Sequence, residues 1–207
     1  MKLVKDPVPL VHLYVAKAAL INHSDAAINY MITRFAAESW ANQSINLHAF
    51  DNIENNTRTY FEKKLESTIK PDVRAVIYEI MLRYPSAPIK WDISSDIHSD
   101  NEKLKIASIK FISYVDRDAA IPFLIDLLKD PHWEVRLISL HRLSMLNAKQ
   151  AISQIIPCLK DPDWWVKISA AEALKNMGEE GERALQSQDL TLDKISFNLT
   201  HLLNTWW

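Results

Sequence analysis

The feature that most constrains the fold is a segment that occurs twice within residues 119–177. In each copy an apolar run ends in Lys-Asp-Pro, and a Trp, a Val and a cation follow at the same spacing. The aligned pairs are Asp130 with Asp161, Trp133 with Trp164, Val135 with Val166, and Arg136 with Lys167. The offset between the residue numbers is 164 − 133 = 31. A fixed period of about 20 to 50 residues is typical of repeat proteins that stack into solenoids.

The same period extends toward the N terminus. Two further steps of the same offset lead from Val135 to Leu104 and then to Val73, and each of these positions is followed by a cation. The repeated cations are Arg74, Lys105, Arg136 and Lys167. Each opens an apolar run that we predict as a helix, over residues 73–82, 104–114, 135–146 and 166–177. Four positions in register indicate a repeat protein.

Within one repeat, the pattern predicts two helices separated by an Asp-Pro turn. Ile121, Leu124 and Leu128 recur at helical spacing and form an apolar face. Asp130 and Pro131 then end that helix and begin the next one. Two such helices cannot bury their apolar faces alone, so each pair must stack on its neighbours.

A two-helix unit with Asp-Pro, then an aromatic or polar pair, then Val and a cation, resembles HEAT repeats. Its short period is similar to that of the bacterial subclass first noted in phycobilisome lyases. The resemblance covers about residues 70–205 and is strongest over residues 160–174. It implies an all-α, armadillo-like fold, a right-handed α-α superhelix of stacked antiparallel helix pairs.

We predict a single solenoid domain over residues 1–207, with end units that depart from the repeat register. Residues 1–56 supply atypical N-terminal cap helices, at about 10–20 and 25–40, and a loop over 41–56. Residues 57–177 hold the repeats, with further helices at 57–69 and, shortened by prolines, at about 90–97. Residues 178–207 form the C-terminal cap, with helices at 181–188 and 190–207.

The composition narrows the classes of function. A formal charge of −2 argues against a dedicated nucleic-acid binder, because such proteins usually carry excess basic charge. Only two glycines occur, so a Gly-rich phosphate loop is not expected. The single Cys158 aligns with Leu127, a core-type position, and one cysteine excludes an internal disulfide. Residues 8–21 are too short and too polar to span a membrane, so we expect a cytoplasmic protein.

The repeated cations have two interpretations. Stacked once per repeat, Arg74, Lys105, Arg136 and Lys167 could line a groove for phosphate or an acidic partner. We favour a structural ladder, in which each cation reaches an acidic residue of its own or the neighbouring repeat, with Asp130 and Asp161 well placed. Lysine at two positions weakens bidentate pairing there, because an ammonium lacks the planar fork of arginine.

The tryptophans are the candidate binding residues. Trp133 and Trp164 occupy equivalent positions, and we expect both to pack between repeats. Trp165 aligns with Glu134, a position expected to face solvent, and lies beside the equivalent residues His132 and Asp163. The terminal pair Trp206 and Trp207 could fold back on the last helix or anchor a partner. Exposed Trp is enriched at the energetic centres of protein interfaces.

Catalytic and metal-binding signatures are missing from the sequence. The seven histidines show no ligand spacing, and one cysteine cannot complete a zinc site. We find no Gly-x-Ser-x-Gly, His-Glu-x-x-His or Cys/His pattern typical of hydrolases. Asp118 and Asp126 have no assigned role. We expect no enzyme activity, no metal and no cofactor.

The sequence therefore favours a non-catalytic adaptor that binds another protein through its second helices or residues 41–56. Pairing with a second copy of the chain also stays open. The resemblance leaves three alternatives: a HEAT-like alkylpurine DNA glycosylase, a phycobilisome lyase subunit, and the cytosolic part of a membrane-anchored HEAT protein that accompanies polysaccharide glycosyltransferases. The charge of −2 counts against the first alternative, and the core position of Cys158 counts against the second.

Overall fold

The computed structural model of the chain describes residues 9–22, 24–37, 50, 57–84 and 91–188. Within these ranges the secondary structure is helices and turns, with no strand. The all-α prediction is confirmed. The chain divides into two compact units with the boundary between Val115 and Asp116. The expectation of a single domain over residues 1–207 stays a prediction.

The first unit contains six described helices. They are α1 (Pro9–Ile21), α2 (Asp25–Ala36), α3 (Thr57–Ser67), α4 (Pro71–Met81), α5 (Ser94–Ile97) and α6 (Glu102–Val115). Helix α4 is central, since α2, α3 and α6 all pack against it. Pro71 occupies the first position of α4. An amide hydrogen at that position would have no partner within the helix, so proline, which has no amide hydrogen, is well suited to it.

Aromatic residues hold the first unit together. Phe50 is fully buried and makes edge-to-face contacts with Phe35 and Phe61, at centroid distances of 6.2 and 5.6 Å. It is the one residue of the predicted loop over 41–56 that lies within the described ranges. Its burial shows that this part of the predicted loop contributes to the core.

The second unit contains two helix pairs and a final helix. Its helices are α7 (Arg117–Asp126), α8 (Trp133–Met145), α9 (Ile152–Ile155), α10 (Trp164–Asn176) and α11 (Glu179–Gln186). Tighter 3-10 turns continue α7 over Leu127–Lys129 and flank α9 at Lys149–Ala151 and Ile156–Lys160. Helix α8 packs along α10, and α10 packs on α11.

The repeat register is visible in the structure. Helices α8 and α10 begin at the aligned residues Trp133 and Trp164, and each has 13 residues. The aligned residues Leu127 and Cys158 are both buried, as predicted. The predicted helix over 90–97 is described only as the short α5, and the predicted helix over 190–207 lies outside the described residues.

Candidate interaction surface

Arg136 joins two successive repeats of the second unit. Its Nε and Nη2 donate to the two carboxylate oxygens of Asp161, at 2.8 and 2.7 Å. Its Nη1 donates to the backbone carbonyls of Asp130 at 2.8 Å and Pro131 at 3.2 Å. The guanidinium thus links the turn at Asp130 and Pro131, before α8, to the turn at Asp161 in the next repeat. The planar fork of arginine allows it to bind both at once.

We call Arg136 and its acceptors at Asp130, Pro131 and Asp161 the Arg136 clamp. Its geometry determines the direction in which the pKa values of Arg136 and Asp161 shift. Desolvation alone would raise the pKa of Asp161, but the hydrogen bonds and charge of Arg136 outweigh it and hold that pKa below its usual value. The hydrogen bond to Asp161 raises the pKa of Arg136. The charge of Lys167 contributes to the lowered pKa of Asp161. The pair is therefore ionised at neutral pH.

Arg74 in the first unit uses the same arrangement. Its Nη1 donates to the carbonyls of Leu65 at 2.6 Å and Thr68 at 2.9 Å. Its Nε and Nη2 bind both carboxylate oxygens of Asp96, which also accepts a hydrogen bond from Tyr78 at 2.6 Å. Burial and the bond to Asp96 raise the pKa of Tyr78 far above its usual value. Both arginines of the repeated position are engaged in binding carboxylates and carbonyls.

The two lysines of the repeated position differ from the arginines. Lys105 is buried on α6, with 7% of its surface exposed. Lys167 is half-buried on α10, near enough to Asp161 to influence its titration. The partner of Lys105 in the proposed ladder stays a prediction.

The carboxylates of the Asp-Pro turns also accept backbone hydrogen bonds. Asp130 accepts from the amide of His132, and Asp161 accepts from the amide of Asp163, both at 2.9 Å. Asp163 in turn caps α10, since its Oδ1 accepts from the amides of Trp165 at 2.8 Å and Val166 at 3.3 Å. His132 occupies the equivalent cap position of α8 and makes no side-chain cap bond. These contacts orient the first turns of α8 and α10.

Three exposed tryptophans lie on these first turns. Trp133, Trp164 and Trp165 are 38%, 36% and 43% exposed, and we call them the tryptophan edge. The exposure predicted for Trp165 is confirmed. That Trp133 and Trp164 pack between repeats stays a prediction, although more than a third of each residue is exposed. Their position explains this, because a helical side chain leans toward the preceding turn, and the first residue of a helix has none.

The other residues considered as site candidates are the terminal tryptophans and Cys158. Trp206 and Trp207 lie outside the described residues. Burial raises the pKa of Cys158 to about 11, which makes its thiol a poor nucleophile. Across the described ranges, no group of three or more His, Cys, Asp or Glu side chains is placed to hold a metal ion.

Residues 95–175 match a family model described as HEAT repeats. This range, 81 of the 207 residues, has the pattern of HEAT repeats. The match includes α8, α10 and the Arg136 clamp, so the tryptophan edge lies on HEAT second helices. HEAT repeats commonly serve as protein-interaction scaffolds and are generally non-catalytic. The search of curated proteins returned no match. None of the helices in the described residues is long and apolar enough to span a bilayer.

Proposed function

We propose that this chain is a non-catalytic scaffold whose HEAT repeats bind another protein through the tryptophan edge. The observation that supports it most is the exposure of three indoles on the first turns of two helices that pack together. Neighbouring exposed apolar side chains that together form a patch of a few hundred Å² often mark an interaction site.

The size of the tryptophan edge fits the centre of an interface. A tryptophan side chain can bury about 150–250 Å². At the observed exposures of 38%, 36% and 43%, the three indoles together present roughly 200–300 Å². A stable interface needs about 800 Å² per partner, so the edge supplies its apolar core and polar neighbours supply the rim.

The surroundings suit a protein ligand. Asp163 rigidifies the first turn of α10 through its two cap bonds, so Trp165 loses little backbone freedom on binding. His132 is exposed beside Trp133 and offers a ring that can donate or accept a hydrogen bond. A few aromatic anchors with satisfied polar neighbours are typical of energetic hot spots.

The clamp residues argue for a scaffold rather than a nucleic-acid groove. Arg74 and Arg136, the two arginines of the repeated position, already bind carboxylates within their own units. The formal charge of −2 adds no electrostatic attraction for phosphate. These two facts support the protein-binding alternative.

The test is affinity retention on the immobilised full chain from an extract of the source cells. The decisive variant is Trp133→Ala/Trp165→Ala, and the matched control is Met145→Ala, an apolar residue of α8 that is 57% exposed at the opposite end of the helix. We expect one discrete protein to be retained by the unmodified chain and by the control but lost from the double variant. Circular dichroism must show equal helix content in all three.

Other outcomes contradict the proposal. Equal retention by all three forms would remove the tryptophan edge from the interaction. Retention of nucleic acid that is released at moderate salt would favour a phosphate-binding groove. Recovery of the chain itself, detected with a second tag, would identify self-association in place of a scaffold for another protein.

A further inference from the structure

The two helices that carry the tryptophan edge lie side by side and run in the same direction. Near their N-terminal ends, Arg136 of α8 binds Asp161, which lies in the turn before α10. At their C-terminal ends, the Nδ2 of Asn176 donates to the Oγ of Ser144 at 3.1 Å. Contacts at both ends hold α8 and α10 in parallel register, and the axes of helices that pack together are about 8–10 Å apart.

This register arranges the first turns of α8 and α10 as two rows of side chains. Trp133 and Trp164 begin the two helices and form one row, and the next residues, Glu134 and Trp165, form the other. Equivalent residues on neighbouring parallel helices are separated by the distance between the helix axes. The two members of each row are therefore about 8–10 Å apart.

The four side chains of these rows have binding capacity that the described residues leave unused. The indole N–H groups of Trp133, Trp164 and Trp165 donate to no described residue. The carboxylate of Glu134, half-buried on α8, makes no hydrogen bond or ion pair with a described residue. An indole N–H can only donate, so its ligand must supply an acceptor. The two rows thus favour a ligand with apolar rings, accessible carbonyls and one cation.

The spacing of the rows matches one turn of a polyproline II helix. That helix has three residues per turn and rises about 3.1 Å per residue, so residues i and i+3 lie on one ridge about 9.3 Å apart. Side chains on one face of an extended strand recur about every 6.6 Å, and one turn of an α-helix rises about 5.4 Å. Neither of these distances fits the rows as closely.

The chemistry of a proline-rich segment fits the same side chains. Its backbone carbonyls make no internal hydrogen bonds, so they are free to accept from the indoles. Its proline rings supply apolar surface for packing on aromatic rings. Its conformation is formed before binding, so little conformational entropy is lost when it docks on an aromatic surface.

We infer that the tryptophan edge binds a proline-rich segment of the partner protein in the polyproline II conformation. Prolines at positions i and i+3 pack on Trp133 and Trp164. A basic residue beside the first proline meets Glu134, and a third proline, three residues after the basic one, meets Trp165. The inference rests on the proposed function, because it names the ligand of the same surface.

The experiment is an NMR titration of the ¹⁵N-labelled full chain with the peptide acetyl-Arg-Pro-Arg-Pro-Pro-Pro-amide. Its arginines flank the first proline, so the peptide can bind in either chain direction. We expect the indole ¹H–¹⁵N signals of at least two of Trp133, Trp164 and Trp165 to shift as they donate to peptide carbonyls. The indole signal of Trp91 should stay unchanged, since its Nε1 already donates to the hydroxyl of Tyr78 at 3.2 Å.

Variants of the chain and of the peptide test the separate contacts. Trp133→Ala should weaken peptide binding at least about tenfold, because one proline loses the ring on which it packs. Glu134→Gln should weaken it about threefold through loss of one partly exposed ion pair. The matched control Glu172→Gln removes an exposed carboxylate further along α10 and should leave the affinity unchanged. A peptide with alanine as its second and fifth residues should bind at least about tenfold more weakly.

The outcomes separate this inference from the proposed function. If the indole signals do not shift with peptide while Trp133→Ala/Trp165→Ala still loses the retained protein, the inference fails and the proposed function stands. If that double variant keeps the retained protein, both fail. Equal binding of the alanine peptide would overturn the inference, as would equal weakening by Glu134→Gln and Glu172→Gln. Indole shifts that depend on chain concentration without peptide would also overturn it, since a second copy of the chain would then occupy the edge.

Discussion

The Arg136–Asp161 clamp makes a quantitative prediction about stability. Asp161→Asn removes the negative charge but keeps an oxygen that can accept from the amide of Asp163, so the turn is retained and the ion pair is lost. Two charge-assisted hydrogen bonds join the side chains, and each contributes about 1.5–3 kcal/mol. Loss of one partner of a fully buried pair costs about 3–5 kcal/mol.

The expected cost here is smaller. The side chains of Arg136 and Asp161 retain 11% and 8% exposure, and Arg136 keeps two carbonyl acceptors. We therefore expect Asp161→Asn to lower the free energy of unfolding by about 2 kcal/mol. Arg136→Met keeps most of the aliphatic stem, and the double-mutant cycle with Asp161→Asn should give a coupling energy of about 2 kcal/mol. The assay is urea denaturation at pH 7, followed by circular dichroism.

An exposed ion pair in the same unit provides the control. Arg183 and Glu179 pair at 2.9 Å on α11, but their side chains are 75% and 84% exposed. A cycle of Glu179→Gln and Arg183→Met should give no more than about 0.5 kcal/mol. A coupling below about 0.5 kcal/mol for Arg136 and Asp161 as well would refute the clamp, since the pair would then behave like a solvated surface pair.

Three further predictions concern single sites. The folded-state pKa of Asp161 lies below the unfolded value of 3.8, so the clamp stabilises above that pH and its contribution is lost as pH falls through the folded pKa. The stability gap between the unmodified chain and Asp161→Asn should thus be constant from about pH 7 to 5 and narrow below about pH 4. Gly181→Ala should destabilise the chain by about 3 kcal/mol in urea denaturation, because its Cβ would lie 1.9 Å from the carbonyl oxygen of Leu174. With its pKa raised to about 11, Cys158 should react with a disulfide reagent at pH 8 about a hundredfold more slowly than an ordinary thiol.

Each of these predictions can fail clearly. A stability gap that widens toward low pH would show that Asp161 titrates with the opposite sign. A Gly181→Ala variant as stable as the unmodified chain would mean that α11 can move away from α10 at no cost. Fast reaction of Cys158 in the native chain, equal to its rate in urea, would contradict its burial.

The repeat register predicted most of the second unit. The constant offset between aligned positions placed the starts of α8 and α10 within two residues of the observed Trp133 and Trp164. It succeeded because the apolar period and the Asp-Pro turns express the same two-helix unit in both copies. Pro122 lies inside α7, whereas Pro157 lies in a 3-10 turn, so proline alone did not reveal how each first helix continues.

The register could not supply the contacts that depend on irregular segments. Arg136 binds Asp161, 25 residues ahead, whereas Arg74 binds Asp96, only 22 residues ahead. The shortened first helix around α5 changes the spacing, and no periodic rule gives that difference. The exposure of Trp133 was missed for another reason. Aligning the repeats assigns each residue to a helix face but does not take account of how near the residue lies to the end of its helix.

The most direct test of the account is the affinity of the retained partner, measured by isothermal titration calorimetry against the purified chain and its variants. We predict that Trp133→Ala/Trp165→Ala weakens binding at least about thirtyfold, as expected when hot-spot residues worth about 2 kcal/mol are lost. Met145→Ala should leave the affinity within about twofold of the unmodified chain. An unchanged affinity in the tryptophan double variant, with its fold intact, would contradict the claim that the tryptophan edge is the binding surface.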